Sequence, residues 1–387
     1  MGFGKYIMNI SIFADLRFTS HPRQTGVGKH ISQMVDGLSR IQGNQLSVLA
    51  ARDQAGHHRA GSLSFLPAHI LPLPWKVAEA VWTLTGHPVA DRWVGGDAHR
   101  VPLQAGTPDW IYCPKNDFIP IRKSRVAVTI HGAHELDPQF PQSKSFAARL
   151  NRARRRASYQ RMLRQADLVL TVSEFLKEQM MAWFGVPEEK FRVVGNGVEQ
   201  EFFDAANQSR GVSGQAADRP FVLCVGGLNE LDGGDRILKV AALLQRRQPD
   251  LRILVAGGDH RPEWLAAATE AKNIALLGHV ASAQLALLMR DAEALFYPTR
   301  YETFGIAAAE AMAAGTPVVT CRSTAVPEVV GEAGLYVDPD CPEECVEAIT
   351  TLLSDSRMSI ENSRLGAEVA KGFTWQACVD RLFVALS

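Results

Sequence analysis

Residues 300–310 read Arg-Tyr-Glu-Thr-Phe-Gly-Ile-Ala-Ala-Ala-Glu and place two carboxylates, Glu302 and Glu310, eight positions apart. The Ala-rich run after Gly305 predicts a helix that begins at this glycine. The first N–H groups of a helix have no partner within it, and the helix dipole adds positive potential there, so the amides of residues 304–306 favour a phosphate. Carboxylates on either side can bind hydroxyls. The stretch therefore predicts a nucleotide-sugar site, with the sugar at Glu302, the diphosphate on the loop amides and the ribose at Glu310.

The size and composition of the chain limit the class of protein to which it can belong. The 387 residues suffice for two domains at roughly 100–200 residues each. Hydrophobic residues make up 46% and charged residues 21%, which is typical of a soluble globular protein. The 41 basic and 41 acidic residues balance, so composition predicts no nucleic-acid partner. No apolar run approaches the roughly 18–20 residues of a membrane span, and the first residues resemble neither a signal peptide nor a myristoylation site. The expected location is the cytoplasm.

Nothing in the sequence predicts a bound metal. Cys341 and Cys345 lie four positions apart, without a second cysteine pair or a nearby histidine. The six cysteines are interpreted as buried or incidental thiols in a reducing compartment. Asp338-Pro339-Asp340 superficially resembles a D-x-D metal motif but lies in a segment with the pattern of an ordinary turn. No cofactor is expected, and the nucleotide diphosphate sugar is a substrate.

Apolar runs of strand length alternate with helical patterns along the chain, which predicts α/β domains with parallel sheets. The polar, aperiodic segment 204–219 predicts a linker. It separates an N-terminal domain (1–203) from a C-terminal, nucleotide-sugar-binding domain (220–373), and residues 374–387 form a last helix. Ligands of doubly wound sheets bind beyond the carboxyl ends of the strands. The predicted strands are Met8–Ala14, Leu46–Ala51, Trp110–Tyr112, Val126–Ile130, Leu168–Val172, Phe191–Val194, Phe221–Val225, Arg252–Ala256, Ile274–Leu277, Ala294–Tyr297 and Pro317–Thr320.

The 300–310 stretch resembles the E-x7-E signature of retaining glycosyltransferases of family 4. These have the GT-B fold, in which two Rossmann-like, doubly wound domains face a cleft and a last helix crosses back to the first domain. Other segments that match this family, in the same order and spacing, are Thr25–His30, Thr129–Gly132, Thr171–Phe175 and Val194–Val198. The first of these resembles the Gly-rich loop that opens the first helix, so Gly26 and Gly28 are expected in a loop between the strand Met8–Ala14 and a helix predicted at Lys29–Ile41, where their backbone would approach the diphosphate. In this family the first domain handles the acceptor.

The resemblance implies roles for individual residues. His131 would approach the donor sugar and the reacting centre, and Glu302 would orient the sugar. Asn196 would contact the donor or shape the interdomain hinge, and the backbone near Val280 would recognise the base. Simpler interpretations stand beside these, namely ordinary loop glycines, a core histidine, a turn and surface glutamates. The residues assigned to the donor are Gly26, Gly28, Asn196, Gly226, Val280, Thr303, Phe304, Gly305, Ile306 and Glu310.

One departure from the family pattern concerns the diphosphate. Relatives usually carry an Arg and a Lys in the loop after the first strand of the second domain. Here the Arg position is Gly227 and the Lys position is Asp232 or Gly233. Charge-assisted contacts are commonly worth about 1.5–3 kcal/mol each, so losing both would lower the rate of transfer by orders of magnitude. The cations that could substitute are Arg236, Arg300, Lys29 and Arg23.

A basic stretch without acidic residues runs from Pro138 to Ala166. One interpretation is a solvated helix face. The other is attraction to anionic lipid, since each basic residue near such a surface contributes about 1 kcal/mol. With the Trp- and Leu-rich segment Leu63–Trp93, it suggests peripheral docking at the inner face of the plasma membrane. The docking residues proposed are Arg152, Arg155 and Arg156.

The function predicted from the sequence is transfer of a hexose, with retention and without metal, from a nucleotide diphosphate sugar to a lipid-linked or polysaccharide acceptor in cell-surface glycan synthesis. Mannose is the first guess for the sugar. Two alternatives stay open: a non-catalytic assembly partner that keeps the fold, and a sugar-nucleotide epimerase on the same fold.

Overall fold

The computed structural model describes residues 8–13, 26–72, 74, 77, 80–81, 107–116, 118, 123–138, 145–209, 211 and 219–387. Thr25, Arg23, Arg122, Lys144 and the three tryptophans of the segment Leu63–Trp93 lie outside these residues. The chain divides into two compact units, one of Met1–Gly195 with Cys378–Ser387 and one of Asn196–Ala377.

The first unit contains a parallel sheet of seven strands in the order β3-β2-β1-β4-β5-β6-β7. Its strands are β1 (Asn9–Phe13), β2 (Gln45–Ala51), β3 (Ala68–Leu71), β4 (Trp110–Cys113), β5 (Arg125–Ile130), β6 (Leu168–Thr171) and β7 (Phe191–Val193). Its helices are α1 (Gly26–Arg40), α2 (Ala55–Ala60), α3 (Phe146–Gln165) and α4 (Glu174–Phe184). Central strands such as β5 are nearly continuous runs of buried apolar residues, as expected where both sheet faces are covered.

The second unit contains a parallel sheet of six strands in the order β10-β9-β8-β11-β12-β13. The strands are β8 (Phe221–Val225), β9 (Arg252–Ala256), β10 (Ile274–Gly278), β11 (Ala294–Tyr297), β12 (Val318–Thr320) and β13 (Gly334–Tyr336). The helices are α5 (Gln200–Ala206), α6 (Gly234–Arg247), α7 (Pro262–Glu270), α8 (Ser282–Asp291), α9 (Ile306–Ala313), α10 (Val326–Val330), α11 (Pro342–Ser354) and α12 (Ser356–Ala370). The strand order reverses between β8 and β11, and such a switch point places a ligand crevice beyond the carboxyl ends of those two strands.

Both halves therefore have the parallel, doubly wound architecture predicted from the sequence, and that prediction is confirmed. The division between the units falls after Gly195, not in the segment 204–219. The reason is local pairing, because the Val198 amide donates to the carbonyl of Phe373 at 2.7 Å and Val198 bridges to Thr374. These contacts tie the chain after Gly195, including α5, to the second unit.

The last helix, α13 (Trp375–Leu386), begins in the second unit and its remaining residues belong to the first. Within the first unit, the indole N–H of Trp110 donates to the carbonyl of Leu386 at 2.7 Å, and Arg381 donates to the carbonyl of Val194 at 2.9 Å. Close packing accompanies these bonds, because a Cβ at Gly37 of α1 would lie 2.3 Å from Val379. The end of the chain is thus an integral part of the first unit.

Candidate functional site

Glu302 lies in the loop after β11, and its carboxylate and backbone are both held. The phenol of Tyr297 donates a 2.5 Å hydrogen bond to its Oε1. The Glu302 amide donates to Thr324 Oγ1 at 2.8 Å, and its carbonyl accepts from the amide of Ala325. Thr324 has φ 48° and is the only non-glycine residue with positive φ among those described. Such strained backbone is concentrated at functional sites, where the surroundings hold it in place.

Burial dominates the electrostatics of this pair. Although Glu302 keeps some solvent exposure, the surrounding protein atoms raise its pKa to about 7, the Tyr297 hydrogen bond opposes that rise, and Asp232 adds to it. Burial also raises the pKa of Tyr297 well above its ordinary value, with Glu302 as the next cause. Tyr297 therefore remains a hydrogen-bond donor, and Glu302 changes charge near neutral pH.

Gly305 is the N-cap residue of α9, and the helix starts directly after it, close to the predicted start. Its φ of 95° lies in the left-handed region that glycine adopts at little cost. The amides of Ala308 and Ala309 donate to the Gly305 carbonyl, so the helix does not use the amides that precede them. Phe304 packs edge-on against Phe373 with 5.5 Å between ring centroids, which fixes the approach to the helix. Thr303 directly precedes Phe304, and Ile306 is the first residue of α9.

Glu310 is the one charged residue of α9 and is buried among alanines, with 7% of its surface exposed. A carboxylate is costly to bury unless it is paired or hydrogen-bonded. Glu302 and Glu310 thus flank the first turns of one helix, one before it and one within it.

In the loop between β8 and α6, the carboxylate of Asp232 accepts hydrogen bonds from other residues of the same loop. Asp232 Oδ2 accepts from the Gly227 amide and from Asn229 Nδ2, both at 2.7 Å, and the Asp232 amide donates back to Asn229 Oδ1 at 3.0 Å. Gly226 has φ 122°, and a Cβ there would lie 2.5 Å from Asp232 Oδ2. A Cβ at Gly227 would lie 1.9 Å from the Asp259 carbonyl. Glycine is required at both positions by these approaches.

Two of the cations named as substitutes for the family's Arg and Lys are already paired. Arg236 donates to both carboxylate oxygens of Asp340, at 2.8 and 2.7 Å, and to the carbonyl of Pro298 at 2.9 Å. Arg300 donates to both oxygens of Asp235, at 2.7 and 2.9 Å. Both guanidiniums stabilise the loops around Glu302 through these hydrogen bonds. Lys29 belongs to the first unit, and Arg23 lies outside the described residues.

Other predicted donor residues lie at the same sheet edge or at the division between units. Val280 follows β10, where Gly278 has φ 64° and accepts from the Gly257 amide at 2.8 Å. Asn196 is the first residue of the second unit. The glycine after it packs tightly, because a Cβ at Gly197 would lie 2.4 Å from the Trp375 ring.

The first unit brings His131 and α1 together. His131 Nε2 lies 2.9 Å from the Pro114 carbonyl, and its ring packs edge-on against His30 with 4.5 Å between centroids. Burial lowers the pKa of His131 to about 4, so the ring is neutral at pH 7. Because a carbonyl only accepts, Nε2 carries the proton and Nδ1 has the free lone pair.

Gly26 and Gly28 require a correction to their predicted place. Both lie inside α1, which begins at Gly26, instead of in a loop before it. Gly28 is buried and its carbonyl accepts from Ser32 Oγ at 3.0 Å. No strain requires glycine at Gly26, where a Cβ would meet open space.

The arginines predicted to dock on a membrane do not share one role. Arg155 pairs with Glu135 at 2.8 Å, and Arg156 donates to the carbonyl of Trp183 and covers the ring of Phe184. Arg152 is half-buried. The exposed face of α3 instead carries Phe146, 81% exposed, and Leu150, 42% exposed.

In the part of the chain that the structure describes, no helix is long and apolar enough to cross a membrane. The same residues contain no group of three or more His, Cys, Asp or Glu side chains that could hold a metal ion. Asp340 pairs with Arg236, and Asp338 accepts from the Asp340 amide at 2.9 Å.

Sequence reasoning missed three residues that shape the Glu302 surroundings, namely Tyr297, Thr324 and Asn229. Tyr297 was assigned only to a strand, although its position at the strand end, five residues before Glu302, was a usable signal. Thr324 lies 22 residues beyond Glu302, and nothing local in the sequence marks its positive φ.

Comparisons with known proteins show to which family the chain belongs. The family model described as Glycosyltransferase Family 4 matches residues 24–202, and the model described as Glycosyl transferases group 1 matches residues 219–355. The chain is 29% identical to a D-inositol 3-phosphate glycosyltransferase of Corynebacterium glutamicum, over 65% of each chain. It is 28% identical to the O-antigen chain mannosyltransferase B of Escherichia coli, over 70% of this chain and 72% of that one.

A solved structure of similar fold is Anabaena Alr3699/HepE in complex with UDP-glucose, with TM-score 0.67, 17% identity and coverage of 98% and 99% of the two chains. The matches to D-inositol 3-phosphate glycosyltransferases span between 53% and 66% of those relatives' lengths. Since the two family models together match most of the sequence, in both units, the chain belongs to glycosyltransferase family 4 and has the GT-B fold.

Proposed function

We propose that this protein transfers a hexose, with retention of configuration and without a metal ion, from a nucleotide diphosphate sugar to a glycan acceptor. The observation that carries the proposal is the arrangement of Glu302 and Glu310 around the start of α9. Glu302 is oriented by Tyr297, Glu310 is buried in an otherwise uncharged helix, and the left-handed Gly305 lies between them.

Each group suits one part of such a donor. Glu302 Oε2 faces no protein partner among the described residues and can accept from a sugar hydroxyl. The amides at the start of α9 can hold the diphosphate in the positive potential of the helix terminus. Glu310 can bind the ribose hydroxyls, and the backbone near Val280 can contact the base. Glu302 and the amides at the start of α9 follow the carboxyl end of β11, and Val280 follows the carboxyl end of β10.

Neutral His131 suits a role at the reacting centre, because its Nδ1 lone pair can accept from a hydroxyl while Nε2–H is held by the Pro114 carbonyl. The chemistry proposed is front-side attack by the acceptor hydroxyl, with no covalent enzyme intermediate. Positioning of the donor and acceptor, together with electrostatic stabilisation of the leaving diphosphate, then supplies the catalysis.

Mannose is proposed as the sugar, and a lipid-linked or polysaccharide glycan as the acceptor. The E. coli relative, named an O-antigen chain mannosyltransferase, supports both choices. Peripheral attachment to an anionic membrane surface, at the cytoplasmic side, is part of the same proposal, and the basic helix α3 supports it.

Binding of nucleoside diphosphates tests the proposal most directly. A ligand that binds only the folded state raises the melting temperature, and the rise grows with the logarithm of the ratio of ligand concentration to Kd. We expect GDP or UDP, and their sugars, to raise it, and the purified protein to release nucleoside diphosphate from GDP-mannose or UDP-glucose in the presence of a glycan acceptor. Glu302→Ala should abolish the transfer. A non-catalytic partner would bind without turnover, and an epimerase would convert the sugar without acceptor product.

A further inference from the structure

The loops that carry Asp232 and Glu302 follow β8 and β11, the two strands between which the strand order of the second unit reverses. Their main chains are joined on both sides of Asp232. The Arg300 amide and Thr299 Oγ1 both donate to the carbonyl of Leu231, at 2.8 and 2.9 Å. On the other side, a Cβ at Gly233 would lie 2.3 Å from the Pro298 carbonyl.

The two oxygens of the Asp232 carboxylate have different surroundings. Oδ2 accepts from the Gly227 amide and the Asn229 side chain, which fixes the orientation of the group. Oδ1 has no hydrogen-bond partner among the described residues, and the side chain is only half-buried. The same holds for Glu302, because Oε1 accepts a hydrogen bond from Tyr297 and Oε2 has no hydrogen-bond partner among the described residues. Each loop thus presents one oriented, unused carboxylate oxygen at the switch point.

An anion is unsuited to this loop, although the family usually binds the diphosphate there through an Arg and a Lys. The Gly227 amide already serves a carboxylate, and Asp259 adds further negative potential, raising the pKa of Asp232 after the larger effect of burial. Hydroxyl groups, in contrast, donate readily to carboxylate oxygens.

We propose that Asp232 is a sugar-binding, specificity-determining residue of the donor site, whose Oδ1 accepts from a hydroxyl of the transferred hexose beside Glu302. This inference rests on the proposed function. It follows that the loop selects a neutral, hydroxylated sugar and disfavours a uronic acid, whose carboxylate would face Asp232 and Glu302 together.

The test separates binding of the sugar from binding of the nucleotide. The dissociation constants of GDP, GDP-mannose, UDP, UDP-glucose and UDP-glucuronate are measured by calorimetry for the wild-type protein and for Asp232→Asn. The Asn side chain keeps the shape and can still accept from the Gly227 amide. We expect Asp232→Asn to raise the dissociation constant of the preferred nucleotide sugar by about tenfold, the usual effect of losing one charge-assisted hydrogen bond. The dissociation constant of the matching nucleoside diphosphate should stay within about twofold of the wild-type value.

A purely loop-closing role for Asp232 predicts equal weakening of nucleotide and nucleotide sugar, and that result, or no change in either, would overturn the inference. Asn229→Ala is the structural control, because it loosens the loop while keeping the carboxylate. A second measurement needs no variant: the wild-type protein should bind UDP-glucose at least about tenfold more tightly than UDP-glucuronate, by the same reasoning. Equal affinity would count against Asp232, whereas failure of the wild-type protein to bind any nucleotide or nucleotide sugar would remove the proposed function itself.

Discussion

Tyr297 and Glu302 are joined by a 2.5 Å hydrogen bond from the phenol to carboxylate Oε1, between the last residue of β11 and the loop that follows it. The bond leaves Oε2 pointing away from the donor of this pair. It also opposes the effect of burial on the Glu302 carboxylate, whose pKa is nevertheless raised to about 7. One buried tyrosine therefore sets both the orientation of Glu302 and the pH range in which Glu302 carries charge.

Tyr297→Phe should reduce transfer without unfolding the protein, because the phenyl ring fills the same buried space. Loss of a hydrogen bond to a charged group costs about 1.5–3 kcal/mol, which predicts a fall in kcat/KM of roughly tenfold to a hundredfold. The Glu302 pKa should rise further, so the acidic limb of the pH–rate profile should move to higher pH. Tyr336→Phe, which removes a 2.8 Å bond to the Gly331 carbonyl, is the matched control and should leave the profile in place.

Glu302→Gln should change how stability depends on pH. The folded-state pKa of Glu302, about 7, lies above its ordinary value of 4.5, so protonated Glu302 contributes stability that is fully present below about pH 4.5 and is lost as the pH rises through about 7. Gln cannot ionise, so the wild-type protein should lose stability relative to the variant across this window, with a constant difference above about pH 8.

Urea unfolding from about pH 5 to about pH 8 measures that difference. Glu361→Gln is the control, because its exposed carboxylate has a pKa lowered by Arg364 and should not produce a trend of the same sign. A flat difference between wild type and Glu302→Gln would mean that Glu302 titrates in the folded state as it does in the unfolded chain.

The sequence predicted the sheets well, because their strands are short apolar runs separated by helical patterns and turn residues. It also predicted the turn at Gly305 and the helix after it, since both depend on neighbouring residues. The start of α1 was misplaced because Gly26 and Gly28 suggested a loop, whereas the structure begins the helix at Gly26. Glycine lowers helix propensity by only about 1 kcal/mol, and burial of the α1 face outweighs that cost.

Pairings between residues far apart in the chain could not be predicted from the sequence. Arg236 and Asp340 are 104 residues apart, and nothing near either residue in the sequence predicts that they pair. The substitution at Asp232 was visible as a departure from the family. Its contact with the Gly227 amide depends on how an eight-residue, glycine-rich loop folds, from Gly226 to Gly233, and no periodicity describes such a loop.

Gly227→Ala should destabilise the protein because the new Cβ would lie 1.9 Å from the Asp259 carbonyl, a backbone atom that cannot rotate away. Overpacking of this kind typically costs about 1–3 kcal/mol. Gly258→Ala is the matched control in the neighbouring loop, since its Cβ would meet open space. It should be neutral or raise stability by about 0.4–1 kcal/mol through the unfolded chain. Equal free energies of unfolding for the two variants would show that the loop yields easily.

Arg236→Ala should destabilise the second unit and weaken donor binding, since the guanidinium supports the carbonyl of Pro298 just before the Glu302 loop. Removing one partner of a buried pair costs about 3–5 kcal/mol. Asp340 is 59% exposed, so water compensates part of that loss and we expect about 2–3 kcal/mol.

Asp340→Asn should lower the free energy of unfolding by less than about 1 kcal/mol, because it removes the charge of the exposed partner only. Both variants are compared by urea unfolding and by the affinity for GDP-mannose. Arg364→Ala, which breaks an exposed pair with Glu361, controls for loss of a surface arginine. An Asp340→Asn effect as large as that of Arg236→Ala would assign the stabilisation to the ion pair instead of to the Pro298 carbonyl.

The face of α3 that carries Phe146 and Leu150 should bind anionic membranes. Arg149 and Arg154 flank these exposed apolar side chains at helical spacing, and no acidic residue occurs between Pro138 and Ala166. Each arginine near an anionic surface contributes about 1 kcal/mol, so replacing both with Ala should weaken vesicle binding by roughly tenfold to thirtyfold. Arg155→Ala removes one charge, from a side chain paired with Glu135, and should weaken vesicle binding less than Arg149→Ala or Arg154→Ala alone. Flotation with phosphatidylglycerol vesicles measures the difference, and equal recovery on neutral phosphatidylcholine vesicles would exclude electrostatic docking by this helix.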